Sequence, residues 1–371
     1  VLDGDDSKID FEKAQKLIDQ CMKSGINYYD TAYIYHGGKS EEFLGKALAK
    51  YPRDSFYVTD KYNFQAEPDY KKQFAEQLKR MNMERIDFYL LHGIQDTFAD
   101  EMVNNGCITY FDERKKAGQI QYLGFSFHGS AEKLKHLLTL YPWDFVQIQL
   151  NYLDWKHATS RNVNAEYLYG ELQKRNIPAI IMEPLLGGRL SRVPDHIVAR
   201  LKQQRPENSV ASWAFRFAGS YEGVLTVLSG MTYMEHLQDN IRTFSPLDPV
   251  TEAEKVFLQE TADLLAKYPT VPCNDCKYCM PCPYALDIPG ILLHYNKCVN
   301  EGNVPKSTQD ANYAEARRAY LVGYDRSVPK LRQADHCTGC NECSPHCPQG
   351  IDIPAELRRI DRFVEELKKN G

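Results

Sequence analysis

The sequence predicts an α/β protein, a parallel (β/α)8 TIM barrel over residues 1–250 followed by a small α-helical domain over 251–371. Three observations carry that prediction. Short apolar runs alternate with amphipathic segments from residue 26 to 230. The polar residues ending the first three runs, Asp30, Lys61 and His92, follow one another at equal steps of 31 residues. Nine of the eleven cysteines come after Pro272.

The apolar runs lie at 26–30, 56–61, 86–92, 121–126, 145–151, 178–183 and 224–229. They are short and rich in β-branched and aromatic residues, which favours buried parallel strands. Between them, 11–24, 40–50, 69–83, 130–141, 165–175 and 209–218 have helical spacing, with Ser or Asp before several as caps. A step of about thirty residues is one βα unit, so Asp30, Lys61 and His92 are expected side by side on one rim of the barrel. Barrel enzymes build their active sites on the C-terminal rim. Seven strands are visible where eight close a barrel. Nothing before Phe11 qualifies as the first strand, and it is expected to lie outside the sequence. An open doubly wound sheet is the competing architecture, but no Gly-rich phosphate loop follows an early strand. After Asn240 the strand theme stops, and helical stretches are expected at 251–267, 288–299, 311–322 and 354–369.

Composition narrows the class of function. The chain is 43% hydrophobic and 26% charged, with net charge −5, so no positive field draws it to nucleic acid or an anionic membrane. No apolar run approaches the roughly 20 residues of a membrane span. The acidic opening lacks the features of a signal peptide, and a cytoplasmic protein is expected. Cys21 and Cys107, isolated from the others, read as small buried hydrophobes.

The C-terminal cysteines form two motifs, Cys273-Asn-Asp-Cys276-Lys-Tyr-Cys279-Met-Pro-Cys282-Pro and Cys337-Thr-Gly-Cys340-Asn-Glu-Cys343-Ser-Pro-His-Cys347-Pro. Three cysteines at intervals of three wrap one corner of a cubic cluster. In two-cluster ferredoxins the fourth, before a Pro, ligates the other cluster. Cys273, Cys276, Cys279 and Cys347 are therefore expected to hold one [4Fe–4S] cluster, and Cys337, Cys340, Cys343 and Cys282 the other. Zinc also takes four thiolates but usually joins two separated pairs, and disulfides disagree with a cytoplasmic protein. The first motif is one residue shorter before its last cysteine, leaving Cys298 as a reserve ligand. Each motif is followed by Asp-Ile-Pro, at 287–289 and 352–354, which suggests an internal duplication with Pro opening a helix.

At the rim, the run Asp30-Thr-Ala-Tyr-Ile-Tyr35 sets a phenol five residues past the carboxylate. Tyrosine, with a free pKa of about 10, needs a nearby cation to act as an acid near neutrality. Lys61 would supply the charge, Asp30 would hold Lys61, and His92 would bind the substrate oxygen. This set suits protonation of a carbonyl as hydride arrives at carbon.

With these residues in view, the chain resembles an aldo-keto reductase of the subgroup that carries a C-terminal double-cluster ferredoxin-like domain. The carrying segments are 25–33, 40–45, 59–61, 87–92 and 124–126, together with both cysteine motifs. The resemblance implies that Tyr35 is the general acid of a tetrad with Asp30, Lys61 and His92. It implies that Ser126 and Gln147 bind the nicotinamide amide and that Met182 stands where many relatives stack an aromatic on the ring. It also implies that Pro184, Leu185 and Gly187 cover the pyrophosphate, with Ser229, Gly230, Met231, Asp239 and Asn240 at the adenosine end. Phe127 departs from the usual Asn. Basic residues that often grip a 2′-phosphate are not evident in 230–236, so NADP and NAD both fit; His236 and Arg242 are weak alternatives for such a site. His128 either faces substrate or caps the next helix.

The reading that follows is an NAD(P)H-dependent oxidoreductase that reduces a small-molecule carbonyl, coupled to or stabilised by two [4Fe–4S] clusters, with a redox partner protein as a further expectation. The alternative is an electron-transfer module that binds nucleotide and passes electrons through the clusters without reducing a carbonyl. In a third reading the clusters act only as structural staples.

Overall fold

Burial on both faces is what turns the apolar runs into strands. The computed structural model describes residues 8–159 and 162–370; the acidic opening lies outside them. The strands are β1 (Tyr28–Asp30), β2 (Tyr57–Tyr62), β3 (Ile86–Ile94), β4 (Ile120–Phe127), β5 (Phe145–Gln149), β6 (Ala179–Met182) and β7 (Val224–Val227). They form one parallel sheet in the order β1 to β7, each pairing with its sequence neighbours. β3 has no exposed residue, as expected for a strand covered on both faces. Helices lie between the strands, and the helix after β7, Met234–Phe244, packs against Phe11–Lys23, the helix before β1. The seven strands thus make the curled parallel sheet of a (β/α)8-type fold.

Local chemistry sets the helix starts. Asp10 accepts from the Lys13 N–H, Asp69 from those of Lys71 and Lys72, and Ser130 from that of Lys133. Helices Asp195–Gln204 and Cys107–Lys116 begin without a side-chain cap, and the sequence reading passed over both.

Inside the sheet, Leu90, Phe145 and Ile180 form an apolar layer with Tyr28, Phe88, Tyr122 and Leu228 packed on it. Two residues further along their strands stand Asp30, His92, Gln147 and Met182, so this layer is the floor beneath a polar rim. Gly124 belongs to the same layer. A Cβ there would lie 2.5 Å from Phe145 O and 2.8 Å from its ring, so the absent side chain makes room for Phe145.

The chain divides into two compact units. One comprises the chain to Leu150, Ala165–Pro184 and Phe215–Pro249, and holds the sheet. The other comprises Asn151–Asn164, Leu185–Ala214 and the chain from Val250, so two segments that interrupt the barrel sequence belong with the C-terminal part. Its main helices are Glu252–Leu265, Ile288–Asn300, Tyr313–Ser327 and Ile353–Lys369. The first starts with a full capping box between Thr251 and Glu254. The core of this unit is built around Ile291, Leu292, Tyr320, Tyr324 and Ile360. No helix among the described residues is long and apolar enough to cross a membrane.

On the outer side of β2, Asp60 and Glu41 face each other with no side-chain exposure. Arg80 pairs with Glu41 Oε2 at 2.8 Å, and the Lys61 N–H donates to Asp60 Oδ1 at 2.8 Å. Asp60 Oδ2 and Glu41 Oε1 are buried without a donor. Burial, then the charge of Glu41, raises the Asp60 carboxyl well above its usual value. A proton kept on Asp60 gives both orphan atoms a partner. An acid whose folded-state pKa is raised stabilises the fold at low pH and loses that contribution as pH rises through the folded value. Asp60→Asn retains the Oδ1 acceptor and supplies a permanent donor to Glu41. It is expected to raise unfolding free energy at pH 7 by about 1–2 kcal/mol, with the gain vanishing below pH 4. Denaturant unfolding at the two pH values checks it.

Candidate functional site

The rim is assembled by register. Asp30 pairs with Thr59, two residues before Lys61, and Lys61 pairs with Leu90, two residues before His92. Because side chains alternate along a strand, all three keep the inward side while each strand climbs two residues above the last. Lys61 has 0% exposure. Its ammonium donates to Asp30 Oδ2 at 2.5 Å and to the Thr31 carbonyl at 2.6 Å. Burial raises the Asp30 carboxyl, against which Lys61 pulls. Asp30 Oδ1 is buried without a partner.

Tyr35 opens a short 3-10 turn, Tyr35–Gly38, just past β1. The Lys61 Nζ lies 4.7 Å from the centre of its ring. The ring of His92 meets it edge-on, with centroids 5.8 Å apart. The four residues singled out from sequence are thus brought together around one point. His92 is buried, and burial, then the charges of Lys61 and His128, hold its imidazole well below the usual range. The ring is neutral at physiological pH and can donate or accept a hydrogen bond without charge.

Two neighbours of His92 extend the site. Asn63 Nδ2 lies 3.4 Å from His92 Nδ1. The sequence reading missed Asn63, although its position two residues beyond Lys61 keeps the inward parity. His128, two residues past Ser126, is buried with its Nδ1 unpartnered, and burial pushes it down to about 4. It therefore belongs to the rim side of β4; the helix that follows is capped by Ser130 instead.

The expected nicotinamide contacts fall partly on the same rim. Ser126 pairs with Gln147 in register, and its Oγ accepts from the Gly93 N–H at 2.6 Å. The Gln147 amide points Nε2 at Met182 Sδ, 3.4 Å away, and its Oε1 is buried without a donor. An orphan acceptor next to a serine hydroxyl fits a carboxamide NH2. Phe127, at the position where an Asn was expected, packs its ring against Phe125 in the core. Past β7, Asn240 Nδ2 donates to Ser229 Oγ at 2.9 Å, which ties the expected adenosine end together beside Gly230 and Met231. Asp239 pairs with Arg242 at 3.0 Å, and the His236 ring meets Tyr233. Pro184 ends the barrel unit, whereas Leu185 and Gly187 belong to the second unit. There Gly187, at φ +63°, passes so close to Asn274 that a Cβ would sit 2.0 Å from its carbonyl oxygen.

The cysteines of the second unit surround a hollow. Cys273, Cys276, Cys279 and Cys347 line a small hollow with Pro289, Leu292, Ile351 and Ile353. Cys279 is pushed up to about 12, first by burial and then by Cys273, Cys347 and Cys343. Cys343 is raised by burial and, to a lesser extent, by Cys337 and Cys340. Burial and the neighbouring sulfurs together oppose ionisation of these thiols. Among the described residues no three His, Cys, Asp or Glu side chains converge on one point as ligands of a single ion do. Cys298 faces His294 instead of the hollow, with its Sγ 3.4 Å from Nε2. Cys21 and Cys107 are buried core thiols, as read from sequence.

The backbone of the two motifs repeats. In the first, Asp275 and Lys277 flank Cys276 at φ +58° and +63°; in the second, Gly339 and Asn341 flank Cys340 at +77° and +62°. Ala285, three residues after Cys282, and Gly350, three after Cys347, are at +62° and +63° and donate back to those cysteines' carbonyls. Asp287 and Asp352 then cap the helices that follow.

Comparison with known proteins agrees with the sheet. The profile described as the aldo/keto reductase family matches residues 2–253. An uncharacterized oxidoreductase of Bacillus subtilis is 24% identical over 262 residues, covering 62% of this chain and 81% of that protein. The NADH-specific methylglyoxal reductase of Escherichia coli is 21% identical over 288 residues, covering 67% and 87%. Among solved structures, the apo form of an aldo-keto reductase from Bacillus halodurans superposes with a TM-score of 0.54 at 25% identity, covering 69% of this chain and 88% of that one. Both cysteine motifs lie beyond the family match.

The two buried imidazoles make stability pH-dependent in a defined sense. A histidine whose folded-state pKa is depressed stabilises the fold above about pH 6.5 and loses that contribution as pH falls through the folded value. For His128 the window runs from about 6.5 down to about 4. His128→Gln is expected to flatten the decline of stability across this window by about 2–3 kcal/mol. Thermal unfolding midpoints taken along the pH series check this, and an unaltered slope would count against a neutral His128.

Proposed function

Because the chain belongs to the aldo/keto reductase family, we propose that it reduces the carbonyl of a small molecule with a nicotinamide cofactor, and that its C-terminal unit holds two [4Fe–4S] clusters. The observation that carries the first half is the convergence of Tyr35, Lys61, Asp30 and His92. When bound, the dihydronicotinamide supplies the hydride. Gln147 and Ser126 would hold its carboxamide, and the thioether of Met182 would lie against its ring.

The chain's own residues do the rest. His92 binds and orients the carbonyl oxygen as a neutral ring, which draws less on the basicity of that oxygen than an imidazolium would. The Tyr35 hydroxyl donates that proton. Lys61 stabilises the phenolate left behind, and Asp30 keeps the ammonium aimed at the rim. The buried floor of Leu90, Phe145 and Ile180 excludes water from beneath the reacting atoms.

The second half rests on the hollow lined by Cys273, Cys276, Cys279 and Cys347, three sulfurs from one motif and the last from the other. This is the crossed ligand set expected of a two-cluster, ferredoxin-like unit. The repeated left-handed backbone on both sides of Cys276 and Cys340 supports a duplicated binding loop, because such a turn aims N–H groups at a negatively charged centre. Cys337, Cys340, Cys343 and Cys282 would hold the second cluster. When bound, such clusters carry single electrons, which a redox partner protein would exchange with them.

Tyr35→Phe is expected to lose about 3–5 kcal/mol of transition-state stabilisation while cofactor affinity, read by fluorescence titration, stays within about twofold. Carbonyl turnover by that variant at the parent rate would end the assignment. For the clusters, anaerobically purified protein is expected to contain iron and sulfide in equal amounts. Cys347→Ser should disturb the centre held by Cys273, Cys276 and Cys279, and Cys282→Ser the other, giving two distinct changes in the electron paramagnetic resonance of the reduced protein. Iron-free parent protein would remove this half of the proposal.

A further inference from the structure

Asn63 is the first residue past β2, and hydrogen bonds to Gln73 and Ala66 fix it. Its backbone N–H donates to Gln73 Oε1 at 2.7 Å, and its carbonyl accepts from Gln73 Nε2 at 3.0 Å. Gln73 has no exposure and also donates to the Glu67 carbonyl at 2.9 Å, so the clamp is itself held. The side-chain Oδ1 accepts from the Ala66 N–H at 2.9 Å. That last bond decides which way the amide points. Turning it over would set its NH2 against the Ala66 N–H, donor against donor. The NH2 therefore faces His92 Nδ1, 3.4 Å away.

An amide NH2 only donates, so the ring nitrogen opposite it must present a lone pair. A neutral imidazole with a lone pair on Nδ1 carries its proton on Nε2. We propose that Asn63 is a positioning residue that fixes His92 as the Nε2–H tautomer, so that the ring offers a donor to the substrate oxygen. The proposal rests on the reading that His92 binds the carbonyl oxygen, and adds how the ring is set for that task. Lys61, His128 and the ring of Tyr35 also face His92. None of the three is a carboxylate that would draw the proton to Nδ1. Asn63 touches neither substrate nor cofactor in this scheme; it acts through the ring.

Selective 15N-histidine labelling of the full chain, with long-range 1H–15N correlation, reads the tautomer directly, and His92→Gln identifies the signal by its loss. The parent is expected to show Nε2 protonated and Nδ1 unprotonated from pH 6 to 8. Asn63→Ala should give a mixture of tautomers and lower kcat about tenfold, the worth of one hydrogen bond, with KM for the cofactor little changed. Asn63→Asp keeps the Oδ1 acceptor for Ala66 but opposes Nδ1 with a carboxylate. It should move the proton to Nδ1, lower kcat further and add an acidic limb to the pH–kcat profile that Asn63→Ala does not show. A parent spectrum with Nδ1 protonated would overturn the proposal. So would an Asn63→Ala spectrum and kcat both equal to the parent's. The two readings fail separately. Absence of turnover by the parent on any carbonyl counts against the reductase reading, whereas the labelled spectrum reports on Asn63 without turnover.

Discussion

A lysine with none of its surface in water is the constraint around which the barrel rim is built. Taking an ammonium out of water costs several kcal/mol unless its donors are matched. Here one donor meets Asp30 on the adjacent strand, and another meets the carbonyl of Thr31. The Thr31 N–H continues the ladder to Thr59, so the same backbone that pairs β1 with β2 aims the carbonyl at Lys61. The turn that carries Tyr35 begins four residues later and lays its ring over the ammonium. Remove the cation and the carboxylate, the carbonyl and the phenol lose their reason to converge. The charge is also what keeps His92 neutral beyond the effect of burial alone.

The second unit obeys a different constraint. Sulfurs crowded around an apolar hollow repel one another when ionised and are hard to ionise when buried. The thiols of Cys273 and Cys279, pushed up to about 11 and about 12, express that conflict. On the proposed reading the iron core of a bound cluster would resolve it, with metal binding and folding as one equilibrium. Gly187 meets the same loop from the other side, where only a residue without a Cβ lets the backbone pass Asn274. The chain segment that leaves β6 is thereby fitted to the first cysteine motif.

Much of this was legible in the sequence, and what was not has physical causes. The 31-residue steps from Asp30 to Lys61 to His92 placed the rim, because strand parity and barrel stagger are both encoded in spacing. Strand ends moved by at most two residues, as for β3, which runs on to Ile94. The helices Cys107–Lys116, Asp195–Gln204 and Met234–Phe244 were passed over, because Gly106, Pro194 and Tyr233 precede them and offer no capping side chain. The Asp60–Glu41 pair was invisible for another reason. Which face of β2 is charged depends on how the helix Lys39–Leu48 packs behind it. Asn63 escaped notice since an asparagine after a strand ordinarily signals a turn. Its second role emerges only once Ala66 and Gln73 are seen to hold it.

The neutrality of the two histidines has a chemical logic that ties the rim together. An imidazolium beside the substrate oxygen would stabilise a developing alkoxide, yet it would also compete with Tyr35 as the acid and repel Lys61. The buried site forbids that charge, and Lys61 is the cation placed against the phenol. On the proposed reading, positive charge acts on the acid while uncharged donors act on the oxygen. This division of labour needs each ring to have its proton on the correct nitrogen, because a neutral ring has only one to give. For His92 the group proposed to make that choice is the Asn63 amide. That amide is fixed in turn by a backbone N–H and a buried glutamine with no part in the chemistry. The direction of a proton at the rim thus traces back to hydrogen bonds on the loop behind it.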